Sequence, residues 1–391
     1  MTAEGQRVVV IGAGVLGATV AAHLAEAGAI VTVLEKDTPG AGTSSTSFAW
    51  VNANGKEPQA YFELNAAGVR AHHDLAARGA PWFVPGGHLE VAVDEAHERH
   101  LRGRVERLRE RGYPVQELTD EEAQRLAPDL RIPRGVRARI FFPQEGHVVP
   151  WRYIEAMLER ATTAGSKVLT QAEVVSIEAS ADGGGLARTA TGEEFSADVV
   201  VSTVGRWTSD VAALAGAKIP MAGFTEPGDV TVGYLATTNP LPVSVDRILT
   251  TPWLNIRPQG EGRLMVQALD LDVAADPRAV PSIDSDLAEE YVRRLEDVVP
   301  AAKGARIEKI VVGQRAMPAD GLTIVGRVPQ RPWLYAVATH SGVTLAPFLG
   351  RGVAEEVFGG HEPLFDDFRP DRFANGVPAP PPRGPRKPGE Q

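Results

Sequence analysis

The sequence predicts an α/β fold that begins with a strand, a helix and a second strand of one parallel sheet. Val8 to Ile11 form an uninterrupted apolar run, which suits a strand buried on both faces. An alanine-rich segment with helical character follows and stops at Gly28. A second apolar run, Val31 to Leu34, ends in the acidic residue Glu35. This order is that of the first unit of a doubly wound, Rossmann-like sheet.

The turn between the first strand and the helix carries the spacing G-x-G-x-x-G. It consists of Gly12, Ala13, Gly14, Val15, Leu16 and Gly17. Gly12 permits a tight turn, Gly14 lets the backbone approach a pyrophosphate, and Gly17 lets the helix pack closely on the strand. The helix N-terminus offers free N–H groups to phosphates. Glu35, which is followed by Lys36, is placed to accept hydrogen bonds from a ribose, so the motif predicts an FAD or NAD site rather than an NADP site.

Composition narrows the class of protein further. The chain has 391 residues, which favours two domains, and its hydrophobic content of 43% is that of an ordinary globular protein. A net charge of −10 argues against a nucleic-acid partner. No apolar stretch is long enough to span a membrane, no secretory signal is evident and cysteine is absent, so we expect a cytoplasmic protein without disulfides, thiolate chemistry or a Cys-linked cofactor.

The hydrophobic periodicity and the positions of helix- and strand-breaking residues predict the remaining secondary-structure elements. Helices are predicted over 56–79, 94–112, 119–127, 151–164 and 285–298, and from about residue 342 to Phe358. Strands are predicted over 81–93, Val199–Val201, much of 216–310 and Trp333–Ala338. Residues 39–55 read as a loop rich in small and hydroxyl side chains. The proline-rich residues 376–391 predict a disordered tail.

Four motifs together resemble those of one enzyme family. They are IGAGVLG with Glu35, the run GTSS at 42–45, the strand ADVVVSTVGRW, and RAMPADGLTIVG followed by LYAVATHSGVTLAPFLGRGVAEEVFGG. In order and spacing they resemble the D-amino acid oxidase / glycine oxidase family of FAD-dependent oxidoreductases. The last motif is the most specific, because plain NAD dehydrogenases lack it.

The resemblance implies an α/β fold in which a Rossmann-like FAD-binding domain carries an inserted antiparallel-sheet (α+β) substrate domain. We expect the FAD-binding domain at 1–80, 141–215 and 311–375, and the substrate domain at 81–140 and 216–310. The cofactor would be non-covalent FAD, since the positions at which relatives link the flavin to His or Cys are not evident. Besides the glycine turn and Glu35–Lys36, the cofactor contacts implied are Thr43, Ser44, Ser45, Val174, Gly205, Gly342, Val343 and Thr344.

The resemblance also implies the chemistry. Family members oxidise a C–N bond: a hydride leaves the α-carbon of a neutral amine for the flavin, and the imine is hydrolysed. Arg315 occupies the position whose guanidinium pairs with a substrate carboxylate, although Ala316 replaces the usual proline. His340 and Trp50 are placed near the flavin or the substrate. Each has a structural alternative: Arg315 pairing with Asp320 or another acid, His340 held in its turn, and Trp50 filling the core.

Other functions stay open at this stage. The segment FTEPGDVTVG departs from the family pattern, so substrate specificity is not transferred. The main alternative is oxidation of a 2-hydroxy acid or of a specialised metabolite on the same fold. An NAD dehydrogenase and a flavin-binding module without activity are weaker alternatives. The partners expected are a small amine or amino acid and an electron acceptor, O2 or another carrier.

Overall fold

The computed structural model describes residues 5–133, 135–374 and 376. Within these ranges the α-helices are α1 (Val15–Glu26), α2 (Gln59–Ala77), α3 (Glu95–Glu110), α4 (Asp120–Leu126), α5 (Pro150–Thr163), α6 (Thr208–Leu214), α7 (Asp286–Val298) and α8 (Gly342–Val357). The helices predicted from the sequence are therefore confirmed to within a few residues at each end. Helix α4 begins with a capping box, since Thr119 and Glu122 each bond the other's backbone N–H.

The strands belong to two large and three small sheets. In chain order they are β1 (Arg7–Ile11), β2 (Ile30–Leu34), β3 (Trp50–Val51), β4 (Phe83–Val84), β5 (His88–Ala92), β6 (Gln116–Glu117), β7 (Ala138–Phe142), β8 (Gly146–Val148), β9 (Lys167–Leu169), β10 (Val174–Ala179), β11 (Gly185–Thr189), β12 (Glu194–Ala197), β13 (Val199–Ser202), β14 (Met221–Ala222), β15 (Val232–Thr238), β16 (Ile248–Thr250), β17 (Asn255–Gly260), β18 (Arg263–Gln267), β19 (Ile307–Gln314), β20 (Met317–Pro318), β21 (Ile324–Val328) and β22 (Arg331–Ala338).

One large sheet is six-stranded, with the order β21-β22-β13-β1-β2-β9. All its neighbours pair in parallel except the edge strand β21. Helices α1, α5 and α8 pack together within one hydrophobic core on this sheet. The three-stranded antiparallel sheet β10–β12 contributes to a separate core that also includes the other side chains of β1 and β13. Both faces of the parallel strands are thus covered, which accounts for the apolar runs in the sequence.

The other large sheet is eight-stranded, with the order β19-β15-β18-β17-β16-β5-β7-β6. Its pairs are antiparallel except for β16 and β5, which run in parallel. One face packs on α7 to form a second core. The opposite face carries polar and charged side chains and meets the loop that follows the 3-10 turn Thr43–Thr46. This contact brings the two sheets together around the site described below.

The structure confirms the α/β fold predicted from the sequence and corrects three details. The hydroxyl-rich loop at 39–55 contains the short strand β3 and the 3-10 turn. Strands β7 and β19 lie wholly in the eight-stranded sheet, so the domain boundaries predicted at 140/141 and 310/311 fall inside strands. The assumption of a purely antiparallel insert is wrong at β16 and β5. Apart from Gly376, the tail predicted to be disordered lies outside the described residues.

None of the helices in the described ranges combines the length and the apolar character that crossing a membrane requires.

Two buried histidines and one partly buried histidine predict how stability depends on pH. Burial lowers the pKa of His23 to about 4, that of His72 to about 4 and that of His147 to about 3. In the unfolded chain histidine titrates near pH 6.5. Below pH 6.5 these histidines therefore bind protons in the unfolded state but stay neutral in the native state. The free energy of unfolding falls as the pH falls. Three protons correspond to a slope of up to about 4 kcal/mol per pH unit.

Urea unfolding between pH 7.5 and pH 5 checks this expectation. The midpoint should drop steeply over that interval, and His23→Gln should reduce the slope by about a third, because one of the three protons is removed. A midpoint that stays constant from pH 7 to pH 5 would show that these histidines are protonated in the native state.

Candidate active site

The glycine turn is built as the sequence predicts. Gly12 has a φ of +95°, and its N–H donates to Leu34 O at 2.8 Å, which joins the turn to the end of β2. A Cβ at Gly17 would lie 1.8 Å from Gly12 O, so α1 approaches the turn more closely than any side chain permits. Thr203, which follows β13, also holds the turn, because its Oγ1 donates to Ile11 O at 2.8 Å.

Glu35 is tied to the same turn. Its Oε2 accepts from Ala13 N at 2.7 Å and its Oε1 accepts from Asp37 N at 2.9 Å. The Val15 N–H at the start of α1 donates to Ser44 Oγ at 3.2 Å. The carboxylate, the glycine turn and the hydroxyl-rich loop are thus joined by hydrogen bonds between residues 22 and 29 positions apart in the sequence.

A large cavity of about 710 Å³ lies over these groups. Most of the predicted cofactor residues line it, together with one predicted catalytic residue: Gly12, Gly14, Val15, Leu16, Glu35, Lys36, Thr43, Ser44, Val174, Gly205, Gly342, Val343 and His340. Ala13 and Gly17 support the turn from beneath. Ser45 is not among the lining residues, since its exposed hydroxyl donates to the carbonyls of Ala41 and Gly42.

The large cavity also contains residues that the sequence did not single out, among them Arg206 and Trp207, which lie beside the predicted Lys36. Lys36 Nζ and Arg206 Cζ each lie 3.7 Å from the ring centroid of Trp207. Arg206 donates to Thr43 Oγ1 at 3.3 Å, and burial lowers its pKa. Apolar side chains of Val175, Val211 and Leu214 contribute another part of the wall. Trp207 stands in the quoted motif ADVVVSTVGRW, but nothing in the sequence indicated that two cations stack on it.

A small cavity of about 90 Å³ adjoins the large one. It is lined by Thr43, Thr46, Ser47, Phe48, Ala49, Trp50, Gly233, Leu235, Gln267, Gly313, Gln314, Arg315, Ala316, His340, Ser341, Val343 and Thr344. Thr43, Ser47, Ala316, His340 and Val343 line both cavities. The three predicted catalytic residues, Arg315, His340 and Trp50, therefore lie around one small space, and Thr344 faces this cavity rather than the large one.

Arg315 is held in place by the eight-stranded sheet. Its Nη1 donates to Val230 O at 3.1 Å and also to Val232 O. Its Nη2 lies 3.9 Å from Oδ2 of the buried Asp272. The alternative partner Asp320 instead pairs with Arg372, at 2.8 Å. An arginine has five donors in a planar fork, so anchoring by carbonyls is compatible with binding a carboxylate.

Trp50 is fixed from two directions. Its Nε1 donates to Oε2 of the fully buried Glu145 at 3.0 Å, and its carbonyl accepts from Thr344 Oγ1 at 3.1 Å. The ring also packs edge-on against His88, with centroids 4.5 Å apart. Thr344 thereby joins the first turn of α8 to β3. Trp50 is both packed in the core and part of the cavity wall.

Gln267 is a cavity residue that the sequence analysis missed. Its Oε1 accepts from Asn255 Nδ2 at 3.5 Å, and Asn255 Oδ1 accepts from Thr250 Oγ1 at 2.9 Å. Thr250 in turn contacts His88 Nε2 at 2.9 Å. This row of polar side chains crosses adjacent strands, so only the strand register brings it together and no short motif records it.

The chemistry of the large cavity fits FAD. Glu35 offers a carboxylate to a ribose, while Lys36, Arg206 and the first turn of α1 offer positive charge to phosphates. A Cβ at Gly42 would lie 3.1 Å from the Trp207 ring, so the hydroxyl-rich loop follows the wall without side-chain bulk at this point. A dinucleotide cavity that shares lining residues with a small polar cavity defines an enzyme in which cofactor and substrate meet.

Comparison with known proteins identifies the family. The model of the family described as FAD-dependent oxidoreductase (DAO) matches residues 7–356, so the chain belongs to this family and FAD is its cofactor. The predicted family is confirmed. Glycine oxidase from Bacillus licheniformis is 25% identical over 363 residues, which cover 90% of this chain and 92% of that protein.

Two further similarities extend the comparison. The 4-methylaminobutanoate oxidase (formaldehyde-forming) of Paenarthrobacter nicotinovorans is 27% identical over 396 residues, which cover 92% of this chain but 44% of that protein. The crystal structure of glycine oxidase from Geobacillus kaustophilus superposes with a TM-score of 0.81 at 24% identity, covering 93% of this chain and 98% of that one. The chain is thus an FAD-dependent oxidoreductase with the fold of this oxidase.

Proposed function

We propose that this enzyme oxidises the C–N bond of a small amine that carries a carboxylate, an amino acid or an N-alkyl amino acid. The small cavity carries the proposal. Its charged lining residue is Arg315, and no aspartate or glutamate is among the described residues that line it. Such a cavity suits an anion and offers no lining carboxylate to pair with an ammonium group, so the substrate would bind as the carboxylate with a neutral amine.

The size of the cavity favours a small substrate. At about 90 Å³ the small cavity has roughly an eighth of the volume of the large one, which is about 710 Å³, so the substrate would be much smaller than the cofactor. The named activities of the relatives point the same way, because glycine and 4-methylaminobutanoate are amines that carry a carboxylate.

Each residue has a distinct role in this proposal. Arg315 would pair with the carboxylate and fix the orientation of the α-carbon. Trp50 and Gln267 would form part of the cavity wall around the substrate. His340, which lines both cavities, would contact both substrate and cofactor. FAD, held without a covalent link in the large cavity, would supply the oxidising chemistry that removes a hydride from the α-carbon. The imine that leaves is hydrolysed by water, and no side chain is needed as a general base.

We also propose the roles of the remaining cofactor residues. The turn from Gly12 to Gly17, Ser44 and Arg206 would hold the pyrophosphate, Glu35 the ribose, and Val174 with Val175 the adenine. The first turn of α8, from Gly342, would direct its partial positive charge toward the flavin. In this division the unit with the six-stranded sheet binds FAD, and the eight-stranded sheet supplies the substrate side.

Anaerobic bleaching of the flavin tests this function. The visible spectrum of the purified protein would be followed with D- and L-amino acids, N-methyl amino acids, amines without a carboxylate, and 2-hydroxy acids. We expect bleaching by small carboxylate-bearing amines and at least about tenfold slower bleaching by the matching amines, since they lack one charged contact. Bleaching by 2-hydroxy acids alone would overturn the proposal. Readmitted air then distinguishes an oxidase, in which the colour returns promptly, from a dehydrogenase.

A further inference from the structure

Arg257 is a buried cation outside the proposed catalytic set. It lies on β17 in the eight-stranded sheet, and only 2% of its surface is exposed. No described carboxylate forms an ion pair with it, and burial alone lowers its pKa to about 9. Arginines that are buried in proteins are ordinarily paired with an acid. A buried arginine without one requires an explanation.

Its contacts join the wall of the small cavity to strands β17 and β18. Nε donates to Phe48 O at 2.6 Å, and the guanidinium carbon lies 5.6 Å from the centroid of the Phe48 ring. Nη2 contacts Met265 Sδ at 3.2 Å, and Nη1 donates to Pro258 O at 2.7 Å. Phe48 and Met265 belong to the same small apolar cluster as Trp50. Arg257 therefore contacts two members of this cluster at once.

The segment that Arg257 contacts, residues 47–50, includes an unfavourable backbone conformation. Ala49 has a φ of +55°, a left-handed conformation that residues other than glycine rarely adopt. Ser47 Oγ accepts from Ala49 N at 2.9 Å, and Ala49 O accepts from Val148 N at 3.0 Å. Phe48, Ala49 and Trp50 all line the small cavity. Such a conformation persists only where the surroundings fix it.

From this geometry we infer that Arg257 is a positioning residue, which clamps the Phe48–Trp50 wall and so restricts the substrate cavity to small carboxylates. It acts through the planar fork that reaches the Phe48 carbonyl and the Met265 sulfur at once, a geometry that lysine lacks. The inference rests on the proposed function, because it concerns the same cavity, but it makes a claim about the wall that can be measured without turnover.

Hydrogen–deuterium exchange of the FAD-loaded enzyme tests the clamp directly. The variants are Arg257→Met, which removes charge and fork, and Arg257→Lys, which keeps the charge but not the fork. Both should raise amide exchange in residues 46–51 by at least about tenfold, as expected from the loss of a hydrogen bond to a charged group. Arg263→Met is the matched control, since Arg263 lies on the neighbouring strand β18 and pairs at the surface with Glu261 and Glu308.

The consequence for specificity is measured with acetate, propionate and butyrate as ligands, which perturb the visible spectrum of a bound flavin when they occupy the site. In both Arg257 variants the preference for the smallest ligand should fall by at least about fivefold relative to the wild type, since a cavity distinguishes one methylene by roughly this much or more. Arg263→Met should leave the preference unchanged. With a turnover substrate, the change should appear in KM more than in kcat.

Three outcomes would overturn the inference. Unchanged exchange in both variants would show that the wall does not depend on Arg257. If Arg257→Lys kept wild-type exchange and ligand preference while Arg257→Met did not, the positive charge rather than the planar guanidinium would account for the effect. Faster amide exchange with an unaltered ligand preference would show that the rigidity of the Phe48–Trp50 wall does not determine which ligands bind. Failure of every amine to bleach the flavin would instead overturn the proposed function, while the exchange result would stand by itself.

Discussion

Replacing Arg315 by alanine should reduce kcat/KM for a carboxylate-bearing amine by about 30-fold to about 5,000-fold. Truncating one partner of a buried, hydrogen-bonded charge pair costs roughly 2–5 kcal/mol, and each 1.36 kcal/mol is a factor of ten in rate. Arg315 is the charged group that lines the small cavity, and the carbonyls of Val230 and Val232 hold it there. The loss should appear mainly in KM, since pairing with the carboxylate is made in the ground state as well.

The buried Asp272 complicates this experiment and also provides its control. Asp272 Oδ2 lies 3.9 Å from Arg315 Nη2, and Asp272 Oδ1 accepts from Tyr234 N at 2.7 Å. Arg315→Ala therefore removes a cation from beside a buried carboxylate, which destabilises the fold by itself. The double variant Arg315→Ala/Asp272→Asn removes both charges. If Arg315 binds substrate, the double variant regains thermal stability but not activity.

Two measurements would exclude Arg315 from substrate binding. One is recovery of activity in the double variant, which would show that the arginine only compensates Asp272. The other is an equal effect of Arg315→Ala on an amino acid and on the matching amine without a carboxylate. Under our proposal the amine is almost unaffected, because it never made the contact.

The sequence predicts the cofactor half of this enzyme well because its signals are local. The turn from Gly12 to Gly17, the strand β1 and the carboxylate of Glu35 lie within one short stretch, and each has a steric or electrostatic reason that is independent of the remaining fold. The structure adds how they are joined, through Ala13 N and Glu35 Oε2 at 2.7 Å.

The substrate half could not be predicted to the same depth, because long-range register determines it. Gln267 and Asn255 meet only because β18 pairs with β17. Glu145 supports Trp50 from 95 residues away, and Arg257 reaches Phe48 across 209 residues. These pairs leave no spacing that a motif records. Arg315, His340 and Trp50 were found through family resemblance, and the structure brings all three to one cavity.

Replacing Gly17 by alanine should weaken FAD binding by about 5-fold to about 150-fold, the equivalent of the roughly 1–3 kcal/mol that overpacking costs. The new Cβ would lie 1.8 Å from Gly12 O and 2.5 Å from Thr203 Oγ1. Backbone atoms cannot rotate away as a side chain does, so the turn at Gly12 must shift. Because Gly12 lines the large cavity, we expect the turn to relieve the contact by moving into the space that FAD would occupy. With FAD bound that movement is blocked, so the strain opposes binding.

The matched control is Gly103→Ala on α3, where the nearest atom to a new Cβ is Arg107 Nη1 at 3.7 Å. Glycine costs about 0.8–1.0 kcal/mol relative to alanine inside a helix, so this variant should gain stability and bind FAD as the wild type does. Titrating the apoproteins with FAD and following its fluorescence gives both affinities. Because the two variants carry the same substitution, any difference between them reflects the approach of α1 to the turn. Wild-type FAD affinity in Gly17→Ala would mean that the turn relaxes without moving the phosphate site. The close approach of α1 to Gly12 would then contribute to packing but not to FAD binding.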